Sequence, residues 1–206
     1  MRAYYSFYEM PAVKPKMSFS KEEIKHLLIS IFLLGLAFSI ANSFPIHKNF
    51  SLFVRLLPFS FLAVLTAFAF HEIAHKYAGI RYGYWSEYRM FPFGLLLAIL
   101  FSFLGFVFAA PGAVQIFGFP TREQSGKISM AGPLSNILVS ALFLAISKVT
   151  KIELLILIAS INAFLAIFNL IPIPPLDGIK ILSWNMPVWV AMLASSAILL
   201  FLSFPF

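Results

Sequence analysis

Apolar and polar positions alternate along this chain in long blocks. Runs almost free of charge cover residues 27–43, 56–70, 94–110, 128–147, 154–171 and 186–206. Polar connections separate them: His47, Lys48 and Asn49, then 77–90, 121–127 and 148–153. A helix needs about 20 apolar residues to cross roughly 30 Å of hydrocarbon, and several of these runs reach that length with their flanks. The pattern predicts an all-α polytopic membrane protein with five to six transmembrane helices. The first helix is expected over 24–43. The second starts near Phe50 and continues as a helix past Phe70 into His71-Glu72-Ile73-Ala74-His75. Later helices cover 128–147, 154–171 and 186–206, and Pro172, Pro174 and Pro175 stop the 154–171 helix.

Two stretches read differently. Residues 77–90 mix Arg81, Glu87 and Arg89 with Tyr82, Tyr84, Trp85 and Tyr88, which suits an interfacial belt. Residues 91–119 are apolar but broken by Pro92, Gly94, Gly105, Pro111, Gly112 and Gly118. A span, a re-entrant segment and membrane-depth strands are all open for the first part. After the Pro111-Gly112 turn signal, Val114 and Ile116 alternate with Gln115 and Phe117, as in a strand. Residues 109–119 are then either an edge that holds substrate through Val114, Gln115 and Ile116, or a packed loop. Backbone at membrane depth is tolerated where it lines a wet cavity, which favours a cleft for the first reading.

Composition supports the membrane class. Hydrophobic residues make up 61% of the 206-residue chain and charged residues 11%, against about 25% charged in soluble domains. The first run is too long for a signal peptide and lacks a small-residue cleavage pattern, so it reads as a retained span. The net charge of +7 fits basic loops facing anionic headgroups better than nucleic acid, for which no motif is visible. The basic N-terminal segment, 1–23, is expected on the cytoplasmic side. The whole chain, 1–206, reads as one membrane-embedded domain. The absence of cysteine excludes disulfides and thiolate metal ligands.

The candidate chemistry lies at 71–75. On a helix, i and i+4 share a face, so His71 and His75 can reach one ion, with Glu72 placed to act as a base. Zinc binds imidazole nitrogen and lowers a water's pKa to about 7. A bare match to this pattern arises by chance in soluble proteins. Here three ionisable groups follow an apolar run directly, and each costs about 2.5–3.5 kcal/mol at bilayer depth. His26 and His47 lie in polar flanks and read as interfacial. A catalytic zinc takes three protein ligands and one open position, so one ligand is missing. Asp177, the only aspartate in the chain, is either that ligand or part of a polar Asp-Gly turn.

A resemblance bears on that choice. HExxH after one membrane segment, followed by Asn169-Leu170-Ile171-Pro172-Ile173-Pro174-Pro175-Leu176-Asp177-Gly178 after a later one, resembles the site-2 protease family of intramembrane zinc metalloproteases. Ala131-Gly132-Pro133-Leu134, opening the span between them, is similar too. The match covers roughly 61–180, within a catalytic core of about 50–182. It implies one zinc per chain on His71, His75 and Asp177, Glu72 as the base, and Asn169 close to the reacting centre. It also implies a transmembrane protein substrate, locally unwound and cut in or beside the bilayer. The family typically has a short β-hairpin after HExxH; this interval is longer.

If Asp177 is a ligand, 94–110 must enter and leave on one side. A full crossing would put Asp177 about 30 Å from His71. Five spans plus an insert satisfy this, and the positive-inside bias prefers them slightly over six. An intramembrane metal or ion transporter using the same His/Glu/Asp cluster is the alternative, although its inverted repeats or paired broken helices are not visible. A protease-like fold without activity would not need all four polar groups.

Overall fold

The computed structural model describes residues 15–107, 110–152 and 154–204. Arg2 and Lys14 of the basic N-terminal segment, Ala109, Glu153 and the last two residues of the final apolar run lie outside them. Eight α-helices and one two-stranded sheet are present among the described residues. Helix α1 (Lys21–Asn42) starts where Ser20 caps it, its side chain accepting from the Glu23 N–H at 3.0 Å. Helices α2 (Phe50–Val64) and α3 (Phe70–Arg81) are joined without a break by a π-helical turn, Leu65–Ala69. Helix α5 (Arg122–Thr150) begins earlier than polarity predicts. Thr121 and Gln124 form a reciprocal capping box that draws the expected 121–127 loop into the helix. Helix α6 (Leu154–Leu170) ends before the prolines, and the short α7 (Asp177–Trp184) and α8 (Met186–Leu202) follow.

Three helical stretches are long and apolar enough to cross a membrane: Lys21–Asn42, Phe50–Arg81 and Arg122–Thr150. The apolar helices Leu154–Leu170, Met186–Leu202 and α4 (Pro92–Ser102) are shorter. Small residues let the helices approach closely: Ala37, Ala63, Ala67, Ala98, Ala159, Ala163 and Ala166 are all buried. This is the packing expected where lipid removes the hydrophobic drive between helices. Hydroxyl-to-carbonyl bonds add to it, Ser39 to Phe53 between α1 and α2, and Ser140 to Ala159 between α5 and α6.

The expected interfacial stretch 77–90 contains a strand, β1 (Trp85–Met90), antiparallel to β2 (Gly112–Phe117) from Trp85↔Phe117 to Met90↔Gly112. The Phe91 N–H also donates to the Pro111 carbonyl at 2.8 Å. The 91–111 insert therefore leaves and returns at one point, and its described residues form helix α4 and a turn through Gly105. Leu95 and Ala98 of α4 are buried with Leu27, Leu34 and Ala37 of α1. Gly105, at the turn of the insert, lies against Phe44 just past the far end of α1.

A buried polar network moors this hairpin. The Glu23 carboxylate pairs with Lys76 of α3 and accepts the Tyr88 N–H at 3.0 Å. The Tyr88 hydroxyl meets Ser30 Oγ at 2.9 Å and donates to the Pro111 carbonyl at 2.8 Å. Ser20 donates to Glu87. The sheet is thus fixed to the start of α1 and to the helix carrying His71 and His75.

Candidate active site

His71, Glu72 and His75 share α3, directly after the π-turn. That turn carries one residue more than an α-turn, which rotates the helix beyond it by about 100°. Asn136 of α5 fits the irregularity, donating from Nδ2 to the Ala67 carbonyl within it at 2.7 Å. Asp177 is the first residue of α7, where a carboxylate also suits the helix dipole. The chain folds these elements together so that one atom each of His71, His75 and Asp177 lies within 4.8 Å of the others. His71 Nε2 and His75 Nε2 are 2.9 Å apart, and Asp177 Oδ2 is 3.3 and 3.0 Å from them.

The second nitrogen of each ring fixes its tautomer. His75 Nδ1 is 2.8 Å from the Ile128 carbonyl, which can only accept. His71 Nδ1 is 2.6 Å from Asn136 Oδ1, and the amide nitrogen of Asn136 is already spent on Ala67 and Asn162. Both Nδ1 atoms therefore donate, and in its neutral form each ring turns an Nε2 lone pair inward. Two lone pairs and a carboxylate oxygen converging this closely repel one another unless a cation sits between them. Metal-ligating histidines are oriented in this way by their outer nitrogens. Bonds of about 2.0–2.1 Å in a tetrahedron place ligand atoms about 3.3 Å apart, close to the spacings here. The residues fit zinc.

Gly132 closes the other side. A Cβ at this position would press against both Nε2 atoms, so only glycine lets α5 approach the pair. The Glu72 side chain accepts the Val114 main-chain N–H at 2.9 Å, and the bond comes from the β2 edge that has no strand partner among the described residues.

A cavity of about 520 Å³ opens over this cluster, with His71, Glu72, His75, Asp177, Val114 and Ile116 in its wall. Asn169 lines it too, with its amide donating to Leu165 O at 3.0 Å and no hydrogen bond to the cluster. Gln115, the third strand residue expected to touch substrate, is exposed on the opposite face and is not in the wall. The sequence did not assign Asn136 or the Ile128 carbonyl to the site, and it marked Lys180, which also lines the cavity, only as a charge on the side of the N-terminus. Asn136 carried a usable signal, an amide within an apolar span; a backbone carbonyl carries none.

Relatives point the same way. Peptidase family M50 matches residues 146–196. The chain is 39% identical over 178 residues to "Putative zinc metalloprotease MJ0611" of Methanocaldococcus jannaschii, covering 83% of this chain and 88% of that protein. It is 27% identical over 160 residues to "Putative zinc metalloprotease YwhC" of Bacillus subtilis, covering 65% and 72%. It is 29% identical over 164 residues to "Zinc metalloprotease MJ0392" of M. jannaschii, covering 77% and 40%. No solved structure matches. A cluster that fits zinc beside the Glu72 carboxylate, and a relative alike over most of both chains, lead to one conclusion: the chain belongs to peptidase family M50, the site-2 protease family of zinc metalloproteases.

Proposed function

We propose that this protein hydrolyses peptide bonds in or beside the transmembrane segments of other membrane proteins. His71, His75 and Asp177 hold one zinc ion, and Glu72 is the general base. The observation that carries the reading is the convergence of two Nε2 lone pairs and a carboxylate oxygen on one point beside Glu72. Zinc held there supplies Lewis acidity and a water made acidic enough to attack at neutral pH. Glu72 takes the proton from the attacking water and returns it to the leaving amine. Asn136 and the Ile128 carbonyl keep the imidazoles aimed. The open edge of β2, with Val114 and Ile116, pairs with an extended peptide through main-chain bonds that demand little of its sequence. Asn169, in the cavity wall, serves as a polar donor to the peptide. A helical substrate hides its carbonyls, so the segment unwinds as it enters.

Five spans complete the reading: α1, α2 with α3, α5, α6 and α8, with the 91–111 insert entering and leaving on the side of the N-terminus, which is cytoplasmic. The return of that insert to Pro111, and the meeting of the α3 and α7 residues, support this arrangement. Nothing in the relatives or the fold favours a transporter.

The test of the chemistry is Glu72→Gln, which keeps the shape of the side chain but cannot accept a proton. The variant should hold zinc at wild-type level and cleave a membrane substrate in detergent at a rate lower by a factor of about 100 or more. Cleavage near the wild-type rate would remove Glu72 from the role of base.

A further inference from the structure

Among the residues in the cavity wall, charged side chains are carried by the zinc cluster, by Glu72 and by one other residue, Lys180. Lys180 lies three positions after Asp177 on α7, on the same helical face. It makes no hydrogen bond or ion pair among the described residues, and its charge reaches both Glu72 and His75. The rest of the wall is apolar or neutral: Ile116, Ile128, Phe164, Leu165 and Phe168, for example, with Ser125, Ser129 and Asn169. Asp177 and Glu72 together balance the double charge of a zinc ion, which leaves one positive charge over, at the edge of a largely apolar cleft. A cation in that position attracts an anion in whatever occupies the cleft, and repels a second cation.

We propose that Lys180 is a specificity-determining residue that receives a carboxylate of the peptide in the cleft. The inference rests on the protease reading above. Two sources supply that chemistry: an acidic side chain close to the cut bond, or the new C-terminal carboxylate that hydrolysis creates. In the first case Lys180 selects substrates. In the second it retains the amino-terminal product and slows turnover.

The experiment uses the full-length protein in detergent with fluorogenic apolar peptides in which a single Glu or Lys is moved along the residues flanking the cut. With a substrate side chain as the source, the wild type prefers Glu over Lys at one position by roughly fivefold in kcat/KM, the size of a partly exposed ion pair. Lys180→Met levels that preference, Lys180→Glu inverts it and Lys180→Arg keeps it. With the product as the source, an amino-terminal product peptide ending in a free carboxylate inhibits the wild type more strongly than its carboxamide, and Lys180→Met abolishes the difference. Lys180 is exposed, so all three variants should fold, and equal zinc content checks this. If neither contrast differs between wild type and Lys180→Met, the proposal is overturned and the lysine is an inner-face charge. A wild type that holds zinc yet cleaves no peptide refutes the protease reading first, and this proposal with it.

Discussion

The Val114 main-chain N–H donates to Oε2 of Glu72 across 2.9 Å, joining the open edge of β2 to the carboxylate of α3. A peptide added to that edge would lie against the proposed base, and the same N–H would become available to it if Glu72 turned away. Val114→Pro removes this donor at a position where β1 does not need it. The variant should retain zinc while kcat/KM falls at least tenfold. Unchanged cleavage would mean that the peptide is held elsewhere.

Gly132 permits the contact between α5 and the two imidazoles. In Gly132→Ala the added methyl group must displace one ring or the helix. Zinc content measured on purified protein should fall well below one per chain, with helical content by circular dichroism unchanged. Asp177→Ala should lose metal likewise, and full occupancy in that variant would return Asp177 to the role of a turn residue.

Asn136 orients His71 and also satisfies Ala67 and Asn162. Asn136→Leu leaves His71 Nδ1 without its acceptor. Losing such a partner weakens metal binding by roughly 10- to 100-fold, which competition with a chelator would measure. Wild-type affinity in this variant would show that the amide does not orient the ring.

Glu23 and Lys76 form an ion pair with almost no exposure on either side chain. Removing one partner strands the other charge, at a cost of about 3–5 kcal/mol. Lys76→Met should lower the thermal midpoint of unfolding sharply. Lys76→Met with Glu23→Gln should recover most of it, since glutamine still accepts the Tyr88 N–H. A single variant as stable as wild type would mean that the ion pair adds nothing to stability.

The five-span arrangement places residues 127 and 180 on the side of the N-terminus and residue 151 on the other. Single cysteines at these positions, in a chain that has none, can be labelled with a membrane-impermeant reagent. Labelling of 127 and 151 from the same side would refute the arrangement.

The sequence by itself determined the elements whose signals are local. Apolar run length marked the helices, because each must bury its backbone polar groups along its own length in lipid. The i, i+4 spacing put His71 and His75 on one face, and the alternation of Val114 and Ile116 marked a strand. Only the tertiary structure decided what depends on distant partners. The mixed stretch 77–90 hides β1 because pairing with β2, across an insert of 21 residues (91–111), makes it a strand. The capping box at Thr121 turned a polar loop into the start of α5. Asp177 read locally as a turn residue and only by resemblance as a ligand; α7 brings its carboxylate to imidazoles about 100 residues earlier in the chain. Asn136, the Ile128 carbonyl, Gly132 and Lys180 gained their places in the same way. Hydrogen bonds and close contacts between helices act over a few ångströms of space, and spacing along the chain does not record them.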